Sequence, residues 1–182
     1  VCSAAMYLED DPGVLISACL FGDGAGAAVL SRAPPAHARR VQWRTSTSRT
    51  DPAEREALRF QSRAGMLRNV LTRAVPRLAA EAAHAVYADT LAREGLAAGA
   101  TSAWILHAGG RDVLLAVERR FDLAPGDLHL SAAMLREYGN LSSAFVYFVL
   151  DAALAARTPG GWWWMTSFGA GFSCHGALLA VE

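Results

Sequence analysis

Three consecutive tryptophans, Trp162-Trp163-Trp164, open an apolar run of strand length from Gly161 to Phe168. Successive side chains on a strand point to opposite faces, so neighbouring indoles cannot enter the same core. A strand built this way needs cover on both sides, as in a buried sheet. Stacking on a sugar or a base is a lesser alternative. A second run of strand length, Phe172 to Val181, follows across Gly169-Ala170-Gly171, and the two read as a hairpin-like pair.

Upstream of this pair, strands alternate with helices. Ala103–Leu106 reads as a short buried strand that ends in His107-Ala108-Gly109-Gly110, and a helix is expected from Arg111 to Arg120. Ser131 is the expected N-cap of a short helix to Tyr138. Gly139-Asn140 breaks it, and Leu141–Ala156 forms an apolar helix. From Gly65 to Arg93 the apolar residues Leu67, Val70, Leu71, Val75, Leu78, Ala82, Val86 and Leu91 recur at helical spacing, with Pro76 kinking or splitting the helix. Nearer the start, Ser17–Leu20 and Ala25–Ser31 read as buried runs around a glycine turn, Ala25–Ser31 as a strand. Residues 32–38 carry Pro34 and Pro35 and read as a loop. Arg39–Thr47 reads as another strand, Ser48–Glu56 as a loop, and Val1-Cys2-Ser3 as the end of a strand. The expectation is an α/β fold with a mixed sheet packed between helices, in one domain over residues 1–182.

Composition narrows the function classes. With 182 residues, 53% hydrophobic, the chain can bury a sizeable core. Lys+Arg 17 balances Asp+Glu 17, which leaves no electrostatic footprint for nucleic acid or an anionic membrane. Arg39, Arg40 and Arg44 read as a solvated strand edge. Cys2, Cys19 and Cys174 are odd in number and widely spaced, which argues against a disulfide framework or a structural zinc site and for a reducing cytoplasm. No metal-ligand spacing is present, and the apolar stretch Leu141–Ala156 is too short to span a bilayer.

His107 and Asn140 are the candidates for chemistry. His107 ends a buried strand before two glycines, where a ligand has room to approach; it reads equally as a core histidine with both ring nitrogens satisfied. Asn140 sits where an apolar helix begins, so it is either the helix N-cap or an amide donor aimed into a cavity at the helix mouth. The glycine-rich stretch Leu20–Gly26 leads into a strand-like run instead of a helix, which rejects a phosphate loop and favours a tight turn steadied by Asp23. Cys2 and Cys19 lie in apolar, strand-like surroundings. Cys174 and His175 are adjacent on a strand and so point apart, which argues against a dyad. His37, His84 and His129 show no partners.

Three segments, in this order and spacing, resemble the C-terminal motifs of type III (chalcone-synthase-like) polyketide synthases: Leu20-Phe-Gly-Asp-Gly-Ala-Gly-Ala-Ala-Val-Leu30, Trp104-Ile-Leu-His-Ala-Gly-Gly110 and Glu137-Tyr-Gly-Asn-Leu-Ser-Ser-Ala144. Ser167-Phe-Gly-Ala-Gly171 is similar to the family's closing glycine loop. The family's second motif usually reads His-Pro-Gly-Gly; here Ala108 replaces the proline. β-Ketoacyl–acyl carrier protein synthases of the third kind resemble the first and third segments, but commonly follow their histidine with Gln-Ala-Asn.

The resemblance implies the C-terminal half of a thiolase-like fold and a Cys-His-Asn triad. That triad decarboxylates malonyl-CoA and condenses it onto an acyl-CoA starter, with no cofactor beyond the CoA thioester substrates. His107 matches the triad histidine, whose imidazolium would lower the thiol pKa, and Asn140 matches the triad asparagine. Phe21 matches a phenylalanine guarding the passage to the cavity, Ser142 a cavity-lining position, and Gly109 and Gly110 would lie near the pantetheine arm. The nucleophilic cysteine and the basic CoA-binding residues are expected upstream of Cys2. The complete enzyme is expected to be a cytoplasmic homodimer, and this half alone is expected to be inactive, to expose a large packing face and to need a partner. The alternatives are a carrier-protein-dependent ketoacyl synthase and a non-catalytic thiolase-like half-subunit.

Overall fold

A computed structural model of the chain describes residues 12–34, 39–63 and 66–182. The expected strand end at residues 1–3, Cys2, His37 and part of the 32–38 loop lie outside the described residues. The elements run α1 (Pro12–Leu20), β1 (Val41–Thr50), β2 (Leu58–Arg63), β3 (Met66–Leu71), α2 (Val75–Glu94), β4 (Thr101–Leu106), α3 (Arg111–Phe121), α4 (His129–Tyr138), α5 (Phe145–Ala155), β5 (Gly161–Gly169) and β6 (Ser173–Val181).

The main sheet has the order β1-β6-β5-β4 and is mixed: β4 pairs parallel with β5, while β5–β6 and β6–β1 are antiparallel. The tryptophan run does what its alternation requires. Trp163 joins Leu179, Phe145, Val149 and Ala153 in one core, whereas Trp164 joins Leu178, Cys174, Val86 and Tyr87 in another. Helix α2 lies against β6 and β1 with α3 packed on it, and α5 lies against β4 and β5. The sheet is therefore a middle layer, and truncating either buried indole to alanine would cost about 3–5 kcal/mol.

Gly176 sets how closely α2 approaches. A Cβ at this position would overlap the Trp164 indole and come within 2.9 Å of Val86 Cγ1. The missing side chain leaves room for the indole beside Val86 of the helix.

Several sequence expectations need correction. Residues 65–93 are not one helix: Met66–Leu71 is a strand, paired with β2 from Leu58↔Leu71 to Arg63↔Met66, and the helix begins at Val75. Pro76 stands in its first turn, where its missing N–H costs nothing, so it starts the helix instead of kinking it. Ser48–Glu56 is not all loop, because β1 continues to Thr50 through pairing with Ser173. Ala25–Ser31 forms no ladder; Val29 is 96% and Leu30 79% exposed. Ser17–Leu20 belongs to α1, and Cys19 is exposed there instead of strand-like and buried.

Ser131 is not a cap but a buried residue inside α4, and its Oγ accepts from the Leu106 N–H at 3.3 Å. His84 and His129 do have neighbours. His84 packs edge-on to Phe121, and His129 Nδ1 lies 2.6 Å from the Gly126 carbonyl oxygen. Arg39 is more than a solvated edge. It donates to the Thr158 and Glu182 carbonyls and lies over Trp163.

Replacing Gly176 with alanine is expected to lower unfolding free energy by about 1–3 kcal/mol, because the new methyl must displace Trp164 or α2. Urea unfolding followed by tryptophan fluorescence reads this. An unchanged midpoint would mean that α2 is not packed this closely.

Candidate active site

His107 follows directly on β4, and its backbone N–H extends the parallel ladder by donating to the Thr166 carbonyl at 2.9 Å. The ring lies edge-on to Phe145, with centroids 5.4 Å apart at 85°, and beside Phe168. Nδ1 is buried and accepts or donates no hydrogen bond among the described residues. The reading of a core histidine with both nitrogens satisfied therefore fails. Burial alone pushes the imidazole down to about 4, so His107 is neutral at pH 7 in this chain. A Cβ at Gly109 would meet Nε2 only at 3.8 Å, which leaves that nitrogen uncrowded on the Gly109 side.

Asn140 is held from both ends. Its Oδ1 accepts from the Ser142 N–H at 2.8 Å, and its Nδ2 donates to the Gly109 carbonyl at 3.2 Å. A backbone donor on one end and a carbonyl acceptor on the other fix which way the amide faces. Ser142 reaches this geometry with φ 53°, a left-handed backbone that a non-glycine residue adopts at a cost. Asn140 is not the N-cap of α5, a place taken by Ala144; its side chain instead closes the turn at Ser142 and ties that turn to the segment after His107.

The glycine-rich stretch is not the expected tight turn. Phe21 makes a parallel backbone bridge with Asn140; Asn140 N–H donates to Leu20 O at 2.8 Å and Gly22 N–H to Asn140 O at 3.1 Å. A Cβ at Gly22 would overlap the Tyr138 carbonyl, one at Gly24 would lie 3.1 Å from the Leu141 side chain, and one at Gly26 2.7 Å from the Tyr147 ring. Glycine at every second position is the period of one face of an extended chain, and that face lies against the start of α5.

These contacts bring Phe21, His107, Gly109, Gly110, Asn140 and Ser142 to the wall of one cavity of about 290 Å³. The N-terminal end of α3, from Gly110 to Val113, lines it too, so the positive end of that helix faces the space. The rest of the wall includes one face of the β2–β3 hairpin, with Leu58, Phe60, Asn69 and Leu71. Asn69 is 6% exposed, and its Oδ1 has no hydrogen-bond partner among the described residues.

Sequence reading missed this hairpin wall because it placed residues 65–71 in a helix. The signal available was Ala64-Gly65 between two apolar-polar runs. On this hairpin Phe60 lines the cavity and Met66 and Leu67 do not. Cys174 is buried against Thr166, and burial pushes its thiol up to about 11. Neighbouring His175 is exposed and bonded to Ser48. The two do point apart, and Cys174 has no nucleophile's setting.

The arrangement offers a neutral imidazole and a fixed carboxamide at one end of a largely apolar cavity. Such a pair can donate hydrogen bonds to a developing oxyanion, or exchange a proton with a group brought beside it. Among the described residues no helix is long and apolar enough to cross a membrane.

Residues 46–181 match the family model of chalcone and stilbene synthases, C-terminal domain. The chain is 33% identical over 184 aligned residues to 1,3,6,8-tetrahydroxynaphthalene synthase of Streptomyces peucetius subsp. caesius, an alignment that covers 98% of this chain and 48% of that protein. It is also similar in structure to a type III pentaketide synthase from Neurospora crassa, with TM-score 0.69 and 25% identity over 78% of this chain and 41% of that one. The chain thus spans about half the length of the synthases it matches. In its thiolase-like α/β architecture and in its sequence, this chain belongs to the chalcone and stilbene synthase family of type III polyketide synthases, as its C-terminal domain.

Proposed function

We propose that this chain supplies the histidine and asparagine of a Cys-His-Asn triad that decarboxylates malonyl-CoA and condenses it onto an acyl-CoA starter. The observation that carries this reading is the convergence of His107 and Asn140 on one cavity, with Phe21 held beside them by its bridge to Asn140. The cysteine comes from a complementary half that pairs with this one in a homodimeric enzyme.

In the proposed reaction a starter acyl group passes from CoA to the cysteine thiolate. Malonyl-CoA then loses CO₂, and the electron pair of the broken C–C bond becomes an enolate. Its oxygen takes hydrogen bonds from the His107 imidazole and the Asn140 amide, which stabilises charge that exists only as the bond breaks. The enolate carbon attacks the cysteine thioester, and the thiolate leaves. Repeated rounds lengthen the chain. Phe21 narrows the passage, and Gly109 and Gly110 leave room for the pantetheine arm.

The neutral state of His107 has a place in this scheme. Taken alone the ring resists protonation, so an imidazolium forms there only when an anion is brought alongside. A cysteine thiolate is such an anion, and each charge then stabilises the other. Assembly of the two halves would create the ion pair.

Two outcomes are expected. The chain joined to its cysteine-bearing half, given malonyl-CoA, should release CO₂ and form polyketides detectable by mass spectrometry. His107→Ala and Asn140→Ala should each lower decarboxylation roughly 10²–10³-fold. A complete protein that leaves malonyl-CoA intact and accepts only carrier-protein thioesters would point to the ketoacyl synthase reading, and one inert to both to a non-catalytic half.

The second outcome concerns pH. His107 titrates near 6.5 when unfolded and about 4 when folded, so between these values the unfolded chain binds the extra proton. Its contribution is intact above pH 6.5 and disappears as pH falls toward 4, on the order of 3 kcal/mol in all. Urea unfolding of this chain across that range should show the slope, and His107→Gln should flatten it. Parallel curves for the two proteins would mean that the ring is not buried in its neutral form.

A further inference from the structure

The hairpin side of the cavity breaks its own pattern at one position. Antiparallel pairing sets Leu58 opposite Leu71 and Phe60 opposite Asn69, and residues two apart share a face, so these side chains form one surface of the hairpin. Leu58, Phe60 and Leu71 make that surface apolar. Asn69 does not fit. Asparagine is a poor strand former, and an amide enclosed among apolar side chains is costly unless both its ends find partners.

Asn69 is 6% exposed, lines the cavity, and leaves its Oδ1 without a hydrogen bond among the described residues. Its buried oxygen therefore costs stability with no compensating hydrogen bond among the described residues. Departures of this kind mark sites where a ligand completes the bonding. The cavity also holds His107 and Asn140, so a molecule reacting at those two side chains shares its space with the Asn69 amide.

We propose that Asn69 is a specificity residue of this site, its carboxamide oxygen accepting a hydrogen bond from an N–H or O–H of a thioester-borne substrate. The proposal rests on the polyketide synthase reading for the identity of that substrate. Two parts of such a molecule carry a donor: the amides of the pantetheine arm, shared by every CoA thioester, and a hydroxyl or enol on the acyl chain. Asn69 differs from Asn140 in that its oxygen has no partner among the described residues. Asn140 has its oxygen occupied by Ser142 and offers donors only.

The test uses the complete enzyme, this chain with its cysteine-bearing half. Asn69→Leu keeps the approximate shape and removes the acceptor, and Asn69→Ala guards against a fault of fit. Both should melt at or above the parent's temperature, since an unbonded buried oxygen is removed. If the donor lies on the pantetheine arm, KM for malonyl-CoA decarboxylation rises roughly fivefold to tenfold at unchanged kcat. If it lies on the acyl chain, decarboxylation is unaffected and the ratio of long to short products falls by roughly that factor.

Variants within twofold of the parent in both readouts overturn the proposal, and so does a loss of activity that tracks a fall in melting temperature. A parent that does not decarboxylate malonyl-CoA removes the synthase reading instead. Calorimetric titration with coenzyme A and acetyl-CoA then decides for Asn69: weaker binding by Asn69→Leu sustains its role, and equal affinity or no binding ends it.

Discussion

Two stretches of backbone, Leu20–Gly22 and Gly139–Asn140, lie against each other with no side chain between them. Their hydrogen bonds run from Asn140 to Leu20 and from Gly22 to Asn140. Gly22 has no room for a Cβ against the Tyr138 carbonyl. Gly139, at φ 71°, would bring a Cβ to 2.8 Å of the Leu20 carbonyl. A side chain at either place would force the strands of this bridge apart. Because the bridge places Phe21 and Asn140 together, and Asn140 in turn holds Gly109, the geometry around His107 depends on it. Residues separated by more than a hundred positions in the chain are thus fixed with respect to one another by main-chain atoms, which have little freedom to drift.

The electrostatics of the cavity are set by what is withheld from it. Among the described residues no acidic side chain offsets the burial of His107; desolvation is the single cause of its depressed pKa. The Asn69 oxygen and the His107 Nδ1 are both enclosed and, among the described residues, both unbonded. A low-dielectric space with unsatisfied polar atoms stabilises an incoming polar group more strongly than water would, provided that group matches them. A second, open groove of about 670 Å³ differs: it runs between the start of α5 and the strands β1, β5 and β6, with Trp43 half-exposed in its wall.

How much of this was legible depends on whether a local pattern had one physical solution. The alternation at Trp162–Trp164 had one, and β5 between two cores follows from it. His107 and Asn140 were legible as candidates because neighbouring glycines announce close approach, but the same local patterns fitted a core histidine and a helix cap. Residues 66–71 were not, since Leu67, Val70 and Leu71 satisfy a helix period over one turn, and the strand that they form leaves Leu67 and Leu71 on one face and Val70 on the other. Only pairing with β2 decides between them, and that is a non-local event. Asn69 was hidden by the same ambiguity. Ala25–Ser31 shows the converse failure: its residues have the composition of a strand, but a strand requires a neighbour to bond, and none of the described residues provides one. Ser131 was misread because a buried serine that accepts from the Leu106 backbone has the same sequence appearance as a cap.

The register of β1 on β6 also has a consequence in time. Val41 pairs with Val181 and Thr50 with Ser173, so each bond in this ladder closes a loop of about 130 residues. A ribosome adding roughly 5–20 residues per second needs on the order of ten seconds to supply the partner strand after β1 has been made. During that interval β1 is a nascent strand with a free edge, while α2 and the β2–β3 hairpin, whose contacts are local, can already form. The sheet is consequently assembled last at its own margin. Its β1 edge, rich in serine and threonine instead of large aliphatic side chains, is a composition suited to waiting in water.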